Sequence, residues 1–149
     1  MRIGVVSDTH GSLPDWVTAA FSGVDHIIHA GDVGSSFVLD LLEATASVAA
    51  VRGNTDQSDE LSSLPHHLRL KLGGLAVLVV HEPHDVRRLI AEAPADVVIT
   101  GHTHRPRVQT SGEVLYVNPG SASRSRGEGH SVAILTLEDG EARASIVTD

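Results

Sequence analysis

Short β-branched apolar runs recur through the first two thirds of the chain, and the stretches between several of them have helical periodicity. Ile3-Gly4-Val5-Val6 is nearly continuous in apolar character, which predicts a strand buried on both faces. Leu13, Trp16, Val17, Ala20 and Phe21 follow at helical spacing, with Ser12 the expected N-cap, Pro14 in the first turn and Gly23 the stop. A strand near His26 to His29, a helix near Ser36 to Glu43 and a strand from Val48 to Val51 complete a βαβαβ opening. Such alternation argues for a parallel sheet whose faces are covered by helices.

Residues 53–65 read as loop. Beyond them, Leu68 to Leu72 and Leu75 to Val80 flank Gly73-Gly74, a hairpin signal. Val86, Leu89, Ile90 and Ala93 mark a third helix, and Asp96 to Thr100 another buried strand. The remaining strands, around Val108, Val114 to Val117, Val132 to Leu137 and Ala142 to Val147, have no helix between them and are expected to form a β meander. With 149 residues, 41% hydrophobic composition and no repeat or linker, residues 1–149 are expected to be one domain.

In open α/β sheets ligands bind beyond the carboxyl ends of parallel strands, so the residues following each strand matter most. Asp8 and His10 follow the first strand, Asp32 the second, Asn54 the third, His81 the run ending at Val80, and His102 and His104 the run ending at Thr100. Carboxylate, amide oxygen and imidazole together suit manganese, iron, zinc, cobalt or nickel rather than calcium. So many ligands are too many for one catalytic ion with an open position, but they suit two ions sharing a carboxylate, for which Asp32 is central. Gly31, Gly53 and Gly101 adjoin these residues where a side chain would block close approach.

Composition narrows the partners. A net charge of -8 and an aromatic content of 3% leave neither a cationic track nor a stacking platform for a nucleic-acid polymer, so a nuclease ranks last. With no cysteine, thiolate metal sites and cysteine nucleophiles are excluded, and ten histidines supply the nitrogen ligands. Met1-Arg2 leads into an apolar run too short for an export signal, and no run approaches the roughly 18 residues of a membrane span, so a cytoplasmic protein without membrane contact is expected.

The segments Asp8-Thr9-His10, Gly31-Asp32, Gly53-Asn54-Thr55-Asp56, His81, Gly101-His102-Thr103-His104 and Asn118-Pro119-Gly120-Ser121 occur in an order that resembles the calcineurin-like metallophosphoesterases, in particular their small capless phosphodiesterase branch. The resemblance implies an α/β fold, a four-layer αββα sandwich of two mixed β-sheets flanked by helices. It implies two divalent transition metal ions per chain, manganese first, with iron, zinc, nickel or cobalt as alternatives. Asp8, His10 and His104 would hold one, Asn54, His81 and His102 the other, and Asp32 would bridge them. A hydroxide between the metals would attack phosphorus in a small-molecule phosphoester, and Asp32, Asn54 and His81 are expected to serve catalysis as well as binding. A phosphodiesterase is the leading expectation, with a phosphomonoesterase as alternative; a homo-oligomer is left open.

Two departures stand out. Many members of the wider family carry a histidine after the Gly-Asn pair, placed to protonate the leaving group; this chain has Thr55, as members of the small branch often lack that histidine, and a preference for good leaving groups is expected. After His81 the family commonly has glycine, whereas this chain has Glu82-Pro83, which would narrow the pocket or add a carboxylate to its rim. Asp56 is expected to orient a ligand or cap its loop rather than bind metal. His26, His29, His66, His67, His84 and His130 are assigned ordinary core or surface roles. Arg105, Arg124 and Arg126 are equally suited to meeting a phosphate and to lying in a solvated loop. The reading from another class is a noncatalytic scaffold of the same fold, like a retromer subunit; loss of catalysis there replaces ligand positions, and here all are intact.

Overall fold

The computed structural model describes residues 1–149. The chain begins with β1 (Arg2–Val6), α1 (Asp15–Ala20), β2 (His26–His29), α2 (Ser36–Glu43) and β3 (Ser47–Ala50). It continues with β4 (His67–Leu72), β5 (Leu75–Val80), α3 (Val86–Glu92) and β6 (Val97–Ile99). Two pairs of strands close it: β7 (Arg107–Ser111) with β8 (Val114–Asn118), and β9 (Ser131–Glu138) with β10 (Glu141–Thr148). They form two mixed five-stranded sheets, ordered β10-β9-β1-β2-β3 and β4-β5-β6-β8-β7.

Side-chain alternation explains the layers. Ile3 and Val5 of β1, Val77 and Val79 of β5, Val97 and Ile99 of β6, and Leu135 of β9 belong to one buried cluster formed by both sheets. The opposite faces of the same strands are apolar too. Val6, Ile27 and Ile134 pack with Val17 and Phe21 of the α1 segment and Val38 and Leu42 of α2, whereas Leu78, Val80 and Val98 pack with Leu89 of α3. Helix, sheet, sheet and helix are thus stacked as an αββα sandwich, and interior strands must be apolar at every position. Gly4 fits this arrangement because a Cβ there would lie 2.8 Å from the Phe21 ring.

β1, β2 and β3 pair in parallel, as do β5, β6 and β8. β4 and β5 form a hairpin with Leu72 opposite Leu75, and the two connecting glycines, Gly73 and Gly74, both have positive φ (55° and 81°), as the tight hairpin turn requires. No helix is long and apolar enough to cross a membrane.

Three sequence expectations change. The last four strands are not a meander: β7 pairs with β8 in the second sheet, β9 with β10 in the first, and β8 and β9 reach past their chain neighbours to pair with β6 and β1. Ser12 is not the cap of α1, because its N–H closes a turn onto the Thr9 carbonyl at 3.0 Å and Pro14, extended at φ -63° and ψ 144°, precedes the first helical residue. Residues 53–65 contain a 3₁₀ turn, Leu61–Ser63, that buries Leu61 against the α1–α2 cluster. In contrast, α2 begins as its sequence suggests, with the Ser35 hydroxyl accepting from the Phe37 N–H at 3.3 Å.

Candidate metal centre

The loops that follow β1, β2 and β3 in one sheet, and β5 and β6 in the other, gather at one end of the sandwich. Backbone bonds lash them together: Asp8 N–H to the Gly31 carbonyl, His10 N–H to the Asp32 carbonyl and Gly101 N–H to the His81 carbonyl, each 3.0 Å. Asp8, His10, Asp32, His102 and His104 all have φ between 47° and 70°. That left-handed conformation costs an L-residue roughly 1–2 kcal/mol. Apart from Asp139 in the last hairpin, no other non-glycine residue adopts it. Backbone strain is therefore concentrated where the sequence places its candidate metal ligands. The adjoining glycines admit this crowding. A Cβ on Gly31 would come within 2.6 Å of His81 Nδ1, one on Gly53 would overlap Asp32, and one on Gly101 would overlap the Ser7 hydroxyl.

The predicted residues come together in two adjoining groups. In the first, His104 Nε2 lies 3.1 Å and His10 Nε2 3.9 Å from Asp8 Oδ1, and the two imidazole nitrogens are 3.4 Å apart. In the second, Asn54 Oδ1 lies 3.1 Å from His81 Nε2 and 3.2 Å from His102 Nδ1. Asp32 stands between them, its Oδ2 3.8 Å from His10 Nε2 and 3.4 Å from His81 Nε2. Its other oxygen accepts the Thr55 N–H at 3.0 Å, which fixes the carboxylate.

This donor set suits cations. His81 Nδ1 lies 2.7 Å from the Ala30 carbonyl and His104 Nδ1 2.6 Å from the Arg124 carbonyl. A carbonyl only accepts, so Nδ1 of each ring carries a proton, and Nε2, once free of any second proton, turns its lone pair to the site. That pair on His104 faces Asp8 Oδ1, a buried carboxylate oxygen that accepts no hydrogen bond. With that lone pair free, two electron-rich atoms 3.1 Å apart repel unless a proton or a metal cation lies between them, and a metal can take both as ligands. The other Asp8 oxygen is satisfied by the Ser7 hydroxyl at 2.6 Å and the His102 N–H at 3.0 Å.

Protonation follows the same logic. Burial raises the Asp8 carboxyl above its ordinary range, against the pull of His81, the Ser7 hydroxyl and His104. For Asp32, burial also acts to raise the value, but hydrogen bonds from His81 and the Thr55 N–H outweigh it and hold the carboxylate ionised. Burial works against a charge on His81, yet its bond to Asp32 and the charges of Asp8 and Asp32 raise it above the histidine norm. A cation bound by His81 must displace that proton. His10 is lowered, first by burial.

The supporting contacts were only partly legible in sequence. Asp56, expected to cap its loop, accepts the N–H of Val33 at 3.1 Å, of Gly53 at 2.9 Å and of Gly34 at 3.0 Å, joining the loops after β2 and β3. The segment after β8 braces the other side. The Asn118 amide donates to the Gly101 carbonyl at 2.9 Å, Ser121 donates to the Asp8 carbonyl at 2.7 Å and Ser123 to the Thr9 carbonyl at 2.6 Å. Asn118 and Ser121 were visible only as a motif without roles, and Ser7, Ser123 and the Arg124 carbonyl carried no signal in sequence.

His29 is a satisfied core histidine. Fully buried, it accepts the Gly31 N–H at Nδ1 (3.2 Å) and meets the Thr9 hydroxyl at Nε2 (3.0 Å), which in turn donates to the Val33 carbonyl. Burial lowers it from 6.5 to about 3, so it stays neutral in the fold. The unfolded chain binds this proton below pH 6.5 and the folded chain only near pH 3. Stability supplied by the neutral ring is therefore complete above pH 6.5 and is lost on acidification between those values, with a slope of up to about 1.4 kcal/mol per pH unit. Denaturant titrations should show this loss in the parent, and His29→Gln should flatten it.

Asn54 and His81 also border a cavity of about 400 Å³ that includes Arg52, Gln57, His66 and Glu82. Glu82 thus stands on the rim, 3.1 Å from His84 Nδ1, while Pro83 opens a 3₁₀ turn leading into α3. Arg105 lies on a separate cavity beside Thr103, and the Arg124 side chain is close enough for its charge to help lower His10. Arg126 is exposed.

Comparison with known proteins agrees with this geometry. A family profile described as the calcineurin-like phosphoesterase superfamily domain matches residues 1–140. A probable metallophosphoesterase of Methanocaldococcus jannaschii is 38% identical over 152 residues, covering 93% of this chain and 77% of the relative. Among solved structures, an archaeal phosphodiesterase superposes with a TM-score of 0.79 at 27% identity, covering 99% of this chain and all of that one (100%). Vps29 from Entamoeba histolytica superposes with a TM-score of 0.80 over 99% of this chain and 98% of its own, but at 19% identity that likeness concerns the fold alone.

Proposed function

The chain belongs to the calcineurin-like phosphoesterase superfamily, and from that premise we propose that its 149 residues form one domain hydrolysing small phosphoesters, diesters first, at a centre of two divalent transition metals. It is a metal-dependent phosphoric ester hydrolase. In the proposed assignment Asp8, His10 and His104 hold one ion, Asn54, His81 and His102 the other, and Asp32 joins both. The observation that carries it is the unpartnered Asp8 Oδ1 facing His104 Nε2, with the second donor group directly across Asp32. Manganese is the first choice among the metals that carboxylate, amide and imidazole donors admit, with iron, zinc, nickel or cobalt as alternatives.

Two cations there would neutralise charge on the phosphoryl oxygens and make a water molecule more acidic. The protein's own part is to hold that charge in place. The Ala30 and Arg124 carbonyls set the faces of His81 and His104, the Thr55 N–H sets Asp32, and the strained loops pre-position the rest. A phosphodiester carries less charge than a monoester and needs fewer dedicated cationic side chains, in keeping with a chain of net charge -8.

The test is metal content by mass spectrometry after manganese loading, paired with hydrolysis of bis-p-nitrophenyl phosphate and p-nitrophenyl phosphate. Two metals per chain with faster diester cleavage is the expected result. Two metals without turnover of either compound would move the chain to a binding scaffold, and absence of metal would remove the assignment.

A further inference from the structure

We propose that His66, oriented by Asp85, donates the proton to the leaving alcohol of the ester hydrolysed at the neighbouring metal centre. This rests on the hydrolase reading given above and adds a residue that no motif marks. Hydrolysis of an unactivated ester expels an alkoxide, a poor leaving group unless it is protonated as the bond breaks. Thr55, the residue directly after Asn54, is not an effective proton donor.

The fold brings His66 to the same place by another route. His67 of β4 is paired with Val80 of β5, so His66 just before one strand and His81 just after the other lie at the same end of the hairpin. Both border the cavity of about 400 Å³ that also includes Asn54. An ester bound at Asn54 and His81 would share this cavity with His66. None of the residues around this cavity is hydrophobic, and Arg52, Gln57 and Glu82 suit a hydroxylated alcohol.

His66 is built as a donor should be. Its Nε2 lies 3.3 Å from Asp85 Oδ2, an ion-pair contact on an oxygen that also lies 3.8 Å from His84 Nε2, and its side chain keeps 47% exposure. Asp85 is itself fixed at the start of α3, with Arg88 3.4 Å from its second oxygen. A carboxylate beside one imidazole nitrogen favours one orientation of the ring. Asp85 is thus a positioning residue.

Water oxygen forms the new bond to phosphorus, and the bond from phosphorus to the leaving oxygen breaks with its electron pair passing to that oxygen. Nδ1 of His66 supplies the proton that completes the alcohol. The attacking water releases its proton to solvent, from which His66 is recharged.

The test compares manganese-loaded parent, His66→Gln, His66→Asn and Asp85→Asn on phosphodiesters whose leaving alcohols range from p-nitrophenol to an alkyl alcohol, together with the alkyl ester carrying sulfur in place of the leaving oxygen. Both His66 variants should lower the alkyl-to-aryl ratio of kcat/KM by about 100-fold, and Asp85→Asn should lower it less. The sulfur compound, whose leaving thiolate needs no proton, should restore the ratio. Bound manganese by mass spectrometry and inorganic phosphate affinity by calorimetry should match the parent. Equal losses on alkyl and aryl esters, an unchanged ratio, or no rescue by sulfur would overturn the assignment of His66 alone. A parent with no turnover on any ester would overturn the hydrolase reading and this proposal together.

Discussion

Replacing Asp32 with asparagine should lower kcat/KM on bis-p-nitrophenyl phosphate by about 10²- to 10³-fold, the scale expected when an electrostatic stabiliser of the transition state is removed. Asp32 Oδ2 is the atom that faces both donor groups, at 3.8 Å from His10 Nε2 and 3.4 Å from His81 Nε2. An amide placed there is neutral. It keeps an oxygen for the Thr55 N–H but turns an NH₂ group toward the imidazole lone pairs, where two cations are proposed to meet. Metal content measured on the same samples should fall from two per chain to one or fewer. Full metal content with unchanged turnover would remove Asp32 from the bridge.

The largest effect on folding should come from Asp56→Ala. Its carboxylate accepts three backbone N–H groups, from Val33, Gly34 and Gly53, and is itself buried. Removing it leaves buried donors without acceptors, each costing about 1–3 kcal/mol. A loss on the order of 3 kcal/mol or more is expected, read as a lower urea midpoint with an unchanged slope. Because Gly53 precedes Asn54 and Val33 follows Asp32, metal affinity should weaken as well. A midpoint within experimental scatter of the parent would show that water or a neighbour replaces the carboxylate.

The interior strands and all three helices were readable because burial on both faces demands continuous apolar runs, and helical spacing marks the covering faces. The candidate site residues gather at one end for a related reason: strand ends are where parallel sheets expose functional groups. Pairing was not readable. Nothing local in Val114 to Val117 says that β8 lies parallel to β6, or in Ser131–Glu138 that β9 lies antiparallel to β1, and so two hairpins in different sheets looked like one meander. The start of α1 was misplaced for a smaller reason, since Ser12 is drawn into a turn with Thr9 before the helix begins. Left-handed backbone at Asp8, His10, Asp32, His102 and His104 leaves no mark on residue type, because no glycine stands there. The braces from Ser121 and Ser123 join carbonyls more than a hundred positions away, and no spacing rule anticipates them.

The site is also divided between the two sheets. Asp8, His10, Asp32 and Asn54 are carried by loops of the first sheet, and His81, His102 and His104 by loops of the second. Neither half offers a complete nest, and His10 and His104, whose ring nitrogens nearly touch, are 94 positions apart in the chain. Contacts of such long sequence separation form late in folding. Cations held by these candidate ligands would therefore meet the full set only in a molecule whose sheets have already docked, and their grip would be felt in how slowly the protein comes apart rather than in how fast it comes together.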